Sequence, residues 1–319
     1  MNFSVSVIIP TYNRAHLLPA TLDSVLAQTY PAAEIIVVDD GSTDNTKELV
    51  RSAYPSVIYK RIDNSGAPKA RNVGAGLSTV PWLAFLDSDD VWRSDKLACH
   101  ARFHLIAPEV EYVFSDFNLV IGGNWTEQSK FEDAPPGFFH DSERIAPGFY
   151  ISAASLYTRL LDFQPIFVGS FVLTRSLFER VGRWEESLGR TLSEDLEFTL
   201  RCCLSSPMGI IKEPLVGIRK HSGNFSGDRI RLAEGEIRVL KFICERHGLS
   251  HEIQHQINRQ ISRRSKDAAD LAFSIGAFDL VRQLLNNVPV RDWTLRHQTK
   301  GLIARLPRVA AALAHRLTT

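Results

Sequence analysis

Cysteine is scarce in this chain and poorly spaced for chemistry. There are four among 319 residues, Cys99, Cys202, Cys203 and Cys244, and none forms a C-x-x-C pair, which argues against a zinc knuckle or a dithiol redox motif. Adjacent cysteines such as Cys202 and Cys203 rarely mark a structural disulfide, so all four are expected as free thiols in a reducing compartment. Also missing is any run of about 18 apolar residues, the least that a membrane-spanning helix needs. The opening MNFSVSVIIPTYNR carries neither a basic leader nor a small-residue cleavage site. A cytoplasmic protein is therefore expected, in which the sequons Asn124-Trp125-Thr126 and Asn224-Phe225-Ser226 are chance matches. Net charge is only +1, so no overall pull toward nucleic acid is expected. The charge is uneven, about +7 over residues 230–319 and about −6 before them.

What is present suits a packed chain: 44% of residues are hydrophobic and 23% charged, enough for a core and too apolar for wholesale disorder. VSVIIP (5–10) is a β-branched run of the kind buried on both faces of a sheet. HLLPATLDSVLAQ follows, with Leu18, Leu22, Val25 and Leu26 at helical spacing. EIIVVDDGSTD (34–44) is a second strand ending in acids and a turn, TKELVRSAY a helix and VIYKRI a third strand. PKARNVGAGLS (68–78) is helical despite two glycines, and WLAFLD (82–87) is a fourth strand. This alternation over about 90 residues implies a parallel sheet flanked by helices, with right-handed crossovers that put the strands' carboxyl ends on one edge. From about 118 to 165 the pattern weakens, and Gly, Pro and charge predict long loops suited to substrate contacts. FVGSFVLTRSLFERVGRW predicts a strand and a helix, LSEDLEFTLRCCL a helix, and MGIIKEPLVGIRKH a strand. From about residue 230 the chain reads as all-helical.

Parallel α/β sheets bind ligands beyond the carboxyl ends of their strands. The first strand ends in Pro10-Thr11-Tyr12-Asn13, the second in Asp39-Asp40-Gly41-Ser42, the fourth in Asp87-Ser88-Asp89-Asp90. Carboxylates gathered on one rim are costly unless a cation neutralises them. Their oxygens suit Mg2+ or Mn2+, and an ion with so few protein ligands completes its shell with water and a substrate phosphate. A lone Asp-rich turn is more often a solvated loop or a helix cap; the order and spacing of all the segments favour the functional reading.

VSVIIPTYNR, IIVVDDGSTDNT, ARNVG and LDSDD, in that order, resemble the nucleotide-sugar-binding half of the family 2 inverting glycosyltransferases, which have the GT-A fold. FERVGRWEESL, SEDLEFTLR and KHSGNFS are similar to that family's acceptor-side stretch, acidic helix start and closing loop, so the resemblance spans about residues 3–226. It implies an α/β fold with a mostly parallel central sheet flanked by helices. The catalytic domain would occupy 1–228, nucleotide-binding to about 117 and acceptor-binding over about 118–228, with a helical C-terminal region at 229–319. By position, Asp40 would accept a hydrogen bond from the base, and Pro10, Thr11 and Tyr12 would line its pocket. Asp87, Asp89 and Asp90 would serve the ribose and a Mn2+ or Mg2+ ion, in a division left open, with Ser88 beside them on the nucleotide. Arg71 borders the nucleotide or is an ordinary surface arginine. His221 would touch the metal or the diphosphate, and Lys220 would be a counter-charge to phosphate. Asp195 is the candidate general base and Glu194 its rival; a first-turn position should lower the pKa of Asp195 through helix N–H groups and the dipole. The plain alternative there is a capping box between Thr191 and Glu194. Trp92 and Trp184 are expected in the core rather than against a sugar.

The implied reaction moves one sugar from a nucleoside diphosphate donor, UDP most commonly and GDP or dTDP in related enzymes. The acceptor would be a hydroxyl of a glycan or lipid-linked acceptor in bacterial cell-surface polysaccharide or glycolipid synthesis. The Q-x-x-R-W motif and membrane helices of processive members are lacking. A nucleotidyltransferase would need a Gly-rich basic loop after the first strand, where PTYNRAHLLP has one Arg and no Gly. A non-catalytic nucleotide-sugar-binding protein has no need of Asp87, Asp89 and Asp195 together. The tail WTLRHQTKGLIARLPRVAAALAHRL mixes basic and apolar residues at near-helical spacing. It reads either as a helix packed on the catalytic domain or as a peripheral contact with the inner face of the cell membrane.

Overall fold

Val5, Val7, Ile8 and Ile9 expose no surface, and the strand they form, β1 (Val5–Thr11), is buried along its whole length. The computed structural model describes residues 3–152, 156–221, 223 and 228–307. After β1 come α1 (Leu18–Leu26), β2 (Glu34–Asp39), α2 (Thr46–Ala53), β3 (Ile58–Arg61), α3 (Ala67–Leu77) and β4 (Trp82–Phe85), the order the sequence predicts. β1 lies between β2 and β4 and parallel to both, while β3 continues the parallel sheet beyond β2. Thr11 pairs with Asp39 and Ile8 with Phe85, so the segments leaving β1, β2 and β4 emerge on one rim. α3 runs close against β1: a Cβ on Gly74 would stand 2.4 Å from Ile8 Cγ2, which explains a glycine inside a helix.

Past β4 the chain forms β5 (Val91–Trp92), α4 (Lys96–Ile106), β6 (Tyr112–Ile121), β7 (Asn124–Ser129), β8 (Glu143–Ala146) and β9 (Phe149–Ile151). Then follow α5 (Leu156–Asp162), β10 (Phe171–Thr174), α6 (Arg175–Arg180), α7 (Glu194–Ser205) and β11 (Met208–Lys220). The sheet order is β3-β2-β1-β4-β10-β6-β11-β9-β8, with β5 on β11 and β7 on β6. Parallel pairing makes up the whole of the first half and the long ladder between β6 and β11. β10 is antiparallel to both neighbours, and β9 is antiparallel to β11. The expectation of loops over 118–165 is corrected. β7, β8, β9 and α5 lie there, short or polar elements; β7 folds back on β6, β8 pairs with β9, and β9 is held by the distant β11. Phe85, Phe171, Phe178, Trp184 and Phe198 make an aromatic cluster, with Trp184 stacked 4.2 Å from Phe198, which seats α7 beside the sheet.

The chain divides into two compact units. The first, Met1–Arg190 with Glu194–His221, contains the whole sheet; the second is Thr191–Ser193 with Ser222–Thr319. In the second unit α8 (Arg229–Arg246), α9 (His251–Ser274), α10 (Phe278–Leu285) and α11 (Leu295–Ala304) follow one another, the all-helical pattern expected. Asp228, Ser250 and Thr294 cap three of them by accepting backbone N–H bonds. Among the described residues no helix is long and apolar enough to cross a membrane. All four cysteines are free. The second sequon, most of the KHSGNFS loop and the end of the tail lie outside the described residues.

Candidate active site

The acids after β2 are braced by backbone. Asp39 accepts hydrogen bonds from the Ser42 N–H at 2.7 Å and from the Tyr59 hydroxyl. Asp40 accepts from the N–H groups of Ser65 at 2.7 Å and Gly66 at 2.8 Å, one on each oxygen. Gly66 must be glycine: its φ is +97°, and a Cβ would lie 2.6 Å from the Gly189 carbonyl oxygen. Asp40 therefore holds the loop before α3 in place, whatever else it binds. Pro10 and Thr11 are buried, and the Thr11 hydroxyl has no hydrogen-bond partner among the described residues. Tyr12 is 43% exposed on the same rim.

The four residues after β4 separate in role. Asp87 accepts from Arg71 Nη2 at 2.9 Å. Ser88 is buried, and its carbonyl accepts from the Thr21 hydroxyl at 2.9 Å. Asp89 Oδ2 is 3.2 Å from His221 Nε2 and 3.8 Å from Arg14 Nε. Asp90 is buried and accepts from the Arg219 backbone N–H at 3.0 Å. Arg219 also donates to the Asp89, Leu17 and Thr21 oxygens, tying this loop to α1 and β11. Burial, and then the neighbouring carboxylates, push Asp90 well above the usual range. Burial also raises Asp87, against the pull of Arg71. A cluster of this kind is short of positive charge, and its oxygens with an imidazole suit a hard divalent ion.

The residues expected to hold a metal are placed differently from one another. Asp89 and His221 are brought together, but one oxygen of Asp87 is bonded to Arg71 and one of Asp90 to the β11 backbone. Among the described residues, the one trio with donor atoms within 4.8 Å of one another is Asp95, Cys99 and Glu213. Arg93 already bridges both of its carboxylates, each at 2.5 Å, so that trio is an ion-paired cluster.

Arg71 is no surface arginine. It is 2% exposed, donates to Asp87 and, at 2.7 Å, to Glu194, and lies 4.6 Å over the Trp184 ring. Burial works against its charge, but Asp87 and Glu194 outweigh burial and hold it above the ordinary arginine value. Glu194 is thereby committed to an ion pair. Asp195 is not: it accepts only its own helix's Leu196 N–H, at 2.9 Å, and forms no ion pair among the described residues. The expectation of a lowered pKa at Asp195 is overturned. Burial foremost, then repulsion from Glu194, and Asp87 behind the opposing pull of Arg71, push it up to about 7. The Thr191 hydroxyl, the other half of the capping box considered above, is buried without a hydrogen-bond partner among the described residues. Trp184 and Trp92 are 2% and 4% exposed, core residues as expected. Lys220 is exposed at the end of β11 and pairs with no carboxylate among the described residues.

Sequence reasoning missed Arg14, Arg219 and Asn72. Arg14 stood in PTYNR and Asn72 in ARNVG, with nothing in their spacing to give their partners. Asn72 bonds both backbone groups of Trp184 and reaches Glu186 at 2.9 Å, locking the 184–186 turn to α3.

Residues 6–150 match the family model described as Glycosyl transferase family 2. A putative teichuronic acid biosynthesis glycosyltransferase, TuaG of Bacillus subtilis, is 35% identical over 43% of this chain and 55% of its own length. The Escherichia coli UDP-Glc:alpha-D-GlcNAc-diphosphoundecaprenol beta-1,3-glucosyltransferase WfgD is 34% identical over 37% of this chain and 47% of its own. The chain thus spans about half the length of these curated relatives. Among solved structures, S. aureus TarS 1–349 with UDP-GlcNAc aligns at a TM-score of 0.64 and 19% identity, covering 98% of this chain and 90% of that one. The mannosyltransferase PcManGT of Pyrobaculum calidifontis, with GDP-Man and Mn2+, aligns at 0.55 and 20% identity, covering 98% and 86%. These two share the fold.

Proposed function

We propose, from the match of residues 6–150 to the family model described as Glycosyl transferase family 2, that the chain is a glycosyltransferase of that family and transfers a single sugar from a nucleoside diphosphate donor, with inversion, to an acceptor hydroxyl. The observation that carries this reading is Asp195, a carboxylate with no ion pair among the described residues and pushed up to about 7, beside a Glu194 already bound to Arg71. A group that titrates near neutral pH both accepts a proton readily and gives it up again. Asp195 takes the proton of the acceptor hydroxyl as that oxygen attacks the anomeric carbon, and the nucleoside diphosphate leaves from the opposite face. One base and one departing diphosphate give inversion without a covalent sugar intermediate.

Asp89 and His221, with the Asp87 oxygen that Arg71 leaves unbonded, would hold Mn2+ or Mg2+, which supplies Lewis acidity at the diphosphate. Thr11 and Tyr12 take the base side of the donor. Arg71 keeps Asp87 and Glu194 in fixed relation. UDP is the proposed nucleotide, and a lipid-linked sugar the proposed acceptor, supported by the names of WfgD and of the TarS complex. Residues up to about 117 serve the donor and about 118–228 the acceptor. The setting is surface-polysaccharide synthesis at the inner membrane face, with peripheral contact through the C-terminal helices.

The test is a panel of nucleotide sugars with purified protein and Mn2+ or Mg2+, scoring release of nucleoside diphosphate. Asp195→Asn should keep donor affinity and lose about 100-fold or more in turnover. Unchanged turnover in that variant removes Asp195 as the base.

A further inference from the structure

α11 presents two unlike faces. His297, Lys300, Gly301, Ile303 and Ala304 are buried, and Lys300 is spent on Asp270 at 2.6 Å. The outer face carries Leu295 at 82% exposure and Leu302 at 65%, and Leu306 in the closing turn is 44% exposed. At about 100° per residue these three fall within an arc of about 40°. Arg296 and Arg305 flank that arc on opposite sides, both exposed, and Val290 and Arg291 are exposed just before the helix; Arg296 and Arg291 make only long, solvent-exposed ion pairs, at 3.8 Å to Asp270 and 3.9 Å to Asp292. Residues 290–319 contain six Lys or Arg and one acid, Asp292. Isolated surface leucines are ordinary, but three in one stripe bordered by arginine are not.

We propose that this outer face of α11 lies on an anionic lipid bilayer, leucines in the headgroup–acyl boundary and arginines on lipid phosphates. A basic rim round an apolar stripe is the complement of a negatively charged bilayer surface. A second copy of the chain would instead bring arginine against arginine. The inference deepens the membrane setting proposed above and rests on it, but the chemistry at Asp195 does not enter it.

The experiment is sedimentation of the full chain with vesicles of phosphatidylcholine alone or mixed with phosphatidylglycerol, at about 0.1 M salt. The parent should sediment with the mixed vesicles and not with phosphatidylcholine. Arg291→Gln/Arg296→Gln/Arg305→Gln should weaken binding about fivefold per arginine, and Leu295→Gln/Leu302→Gln/Leu306→Gln by about tenfold or more. All these positions are exposed, so melting and donor hydrolysis should match the parent. No binding by the parent, or equal binding by parent and variants, overturns the proposal. Self-association lost in the leucine variant, without vesicle binding, assigns the face to a second copy and overturns it as well. Vesicle binding by a protein that hydrolyses no nucleotide sugar would sink the transfer reaction and leave this inference standing.

Discussion

Raising the pH from 6 to 8 should increase turnover about tenfold if Asp195 is the base. Its ordinary value is 3.8, and the folded protein pushes it up to about 7. Only the ionised carboxylate accepts a proton, so about a tenth of the enzyme is competent at pH 6 and about nine tenths at pH 8. A carboxylate at its ordinary value would be fully ionised at both, and the profile would be flat. The neighbours give the shift a sign that can be tested. Glu194 raises Asp195 by repulsion, so Glu194→Gln should move the rising limb to lower pH while Asp195 stays in place. The assay is nucleoside diphosphate release at saturating Mn2+ and donor, from pH 5.5 to 8.5. Donor affinity is measured by calorimetry at each end, so that a binding loss is not mistaken for a titration. A flat profile, or a limb unmoved or raised by Glu194→Gln, would refute the electrostatic reasoning about this helix start.

The remaining predictions concern the supports of the site. Asp40→Asn replaces one of two acceptors with a donor facing a backbone N–H, and should cost about 1–3 kcal/mol in urea unfolding; a change in base preference without that loss would put Asp40 on the nucleotide instead. Asp89→Asn and His221→Ala should each weaken Mn2+ binding in calorimetry, whereas Asp90→Ala should chiefly lower the melting temperature, because it takes away the acceptor that holds the β11 backbone. Gly74→Ala, with a new methyl 2.4 Å from Ile8 Cγ2, should destabilise by about 1–3 kcal/mol. Gly76→Ala, with open space around it, should stabilise by about 0.5–1 kcal/mol.

The parallel half of the fold was legible because its strands are buried on both faces and its crossovers are local. A run of β-branched residues, Val7–Ile9 in VSVIIP and Ile35–Val38 in EIIVVDD, followed by an amphipathic helix, carries its own signal. The other half was not. FYI is a strand because β11, about 60 residues on, pairs with it, and ERIA because it folds back on FYI; neither run carries that partner in its own periodicity. The same division runs through the site. Asp87, Asp89 and Asp195 could be singled out from their positions at element ends. Their protonation could not, because burial and cross-chain neighbours set it. The helix N-terminus that should have lowered Asp195 is real, but Glu194 and Asp87 crowd the same space from 1 and 108 positions away in sequence.

Arg71 is where those two levels meet, and its removal separates them. It bonds Asp87 on the donor rim and Glu194 at the start of α7, so a single cation spans the two ends of the proposed reaction. Arg71→Met keeps the bulk over Trp184 but leaves two carboxylates without their partner. Breaking a buried pair of this kind costs about 3–5 kcal/mol. Loss of the guanidinium also removes the charged neighbour that pulls Asp195 down, so the pH limb should move upward, opposite to Glu194→Gln. Arg71→Lys, which restores charge without the two-armed geometry, should recover part of the pH limb and little of the turnover. If Arg71→Met melted like the parent and kept its pH profile, the bridge would be incidental, and Asp195 would owe its poise to burial and the neighbouring carboxylates.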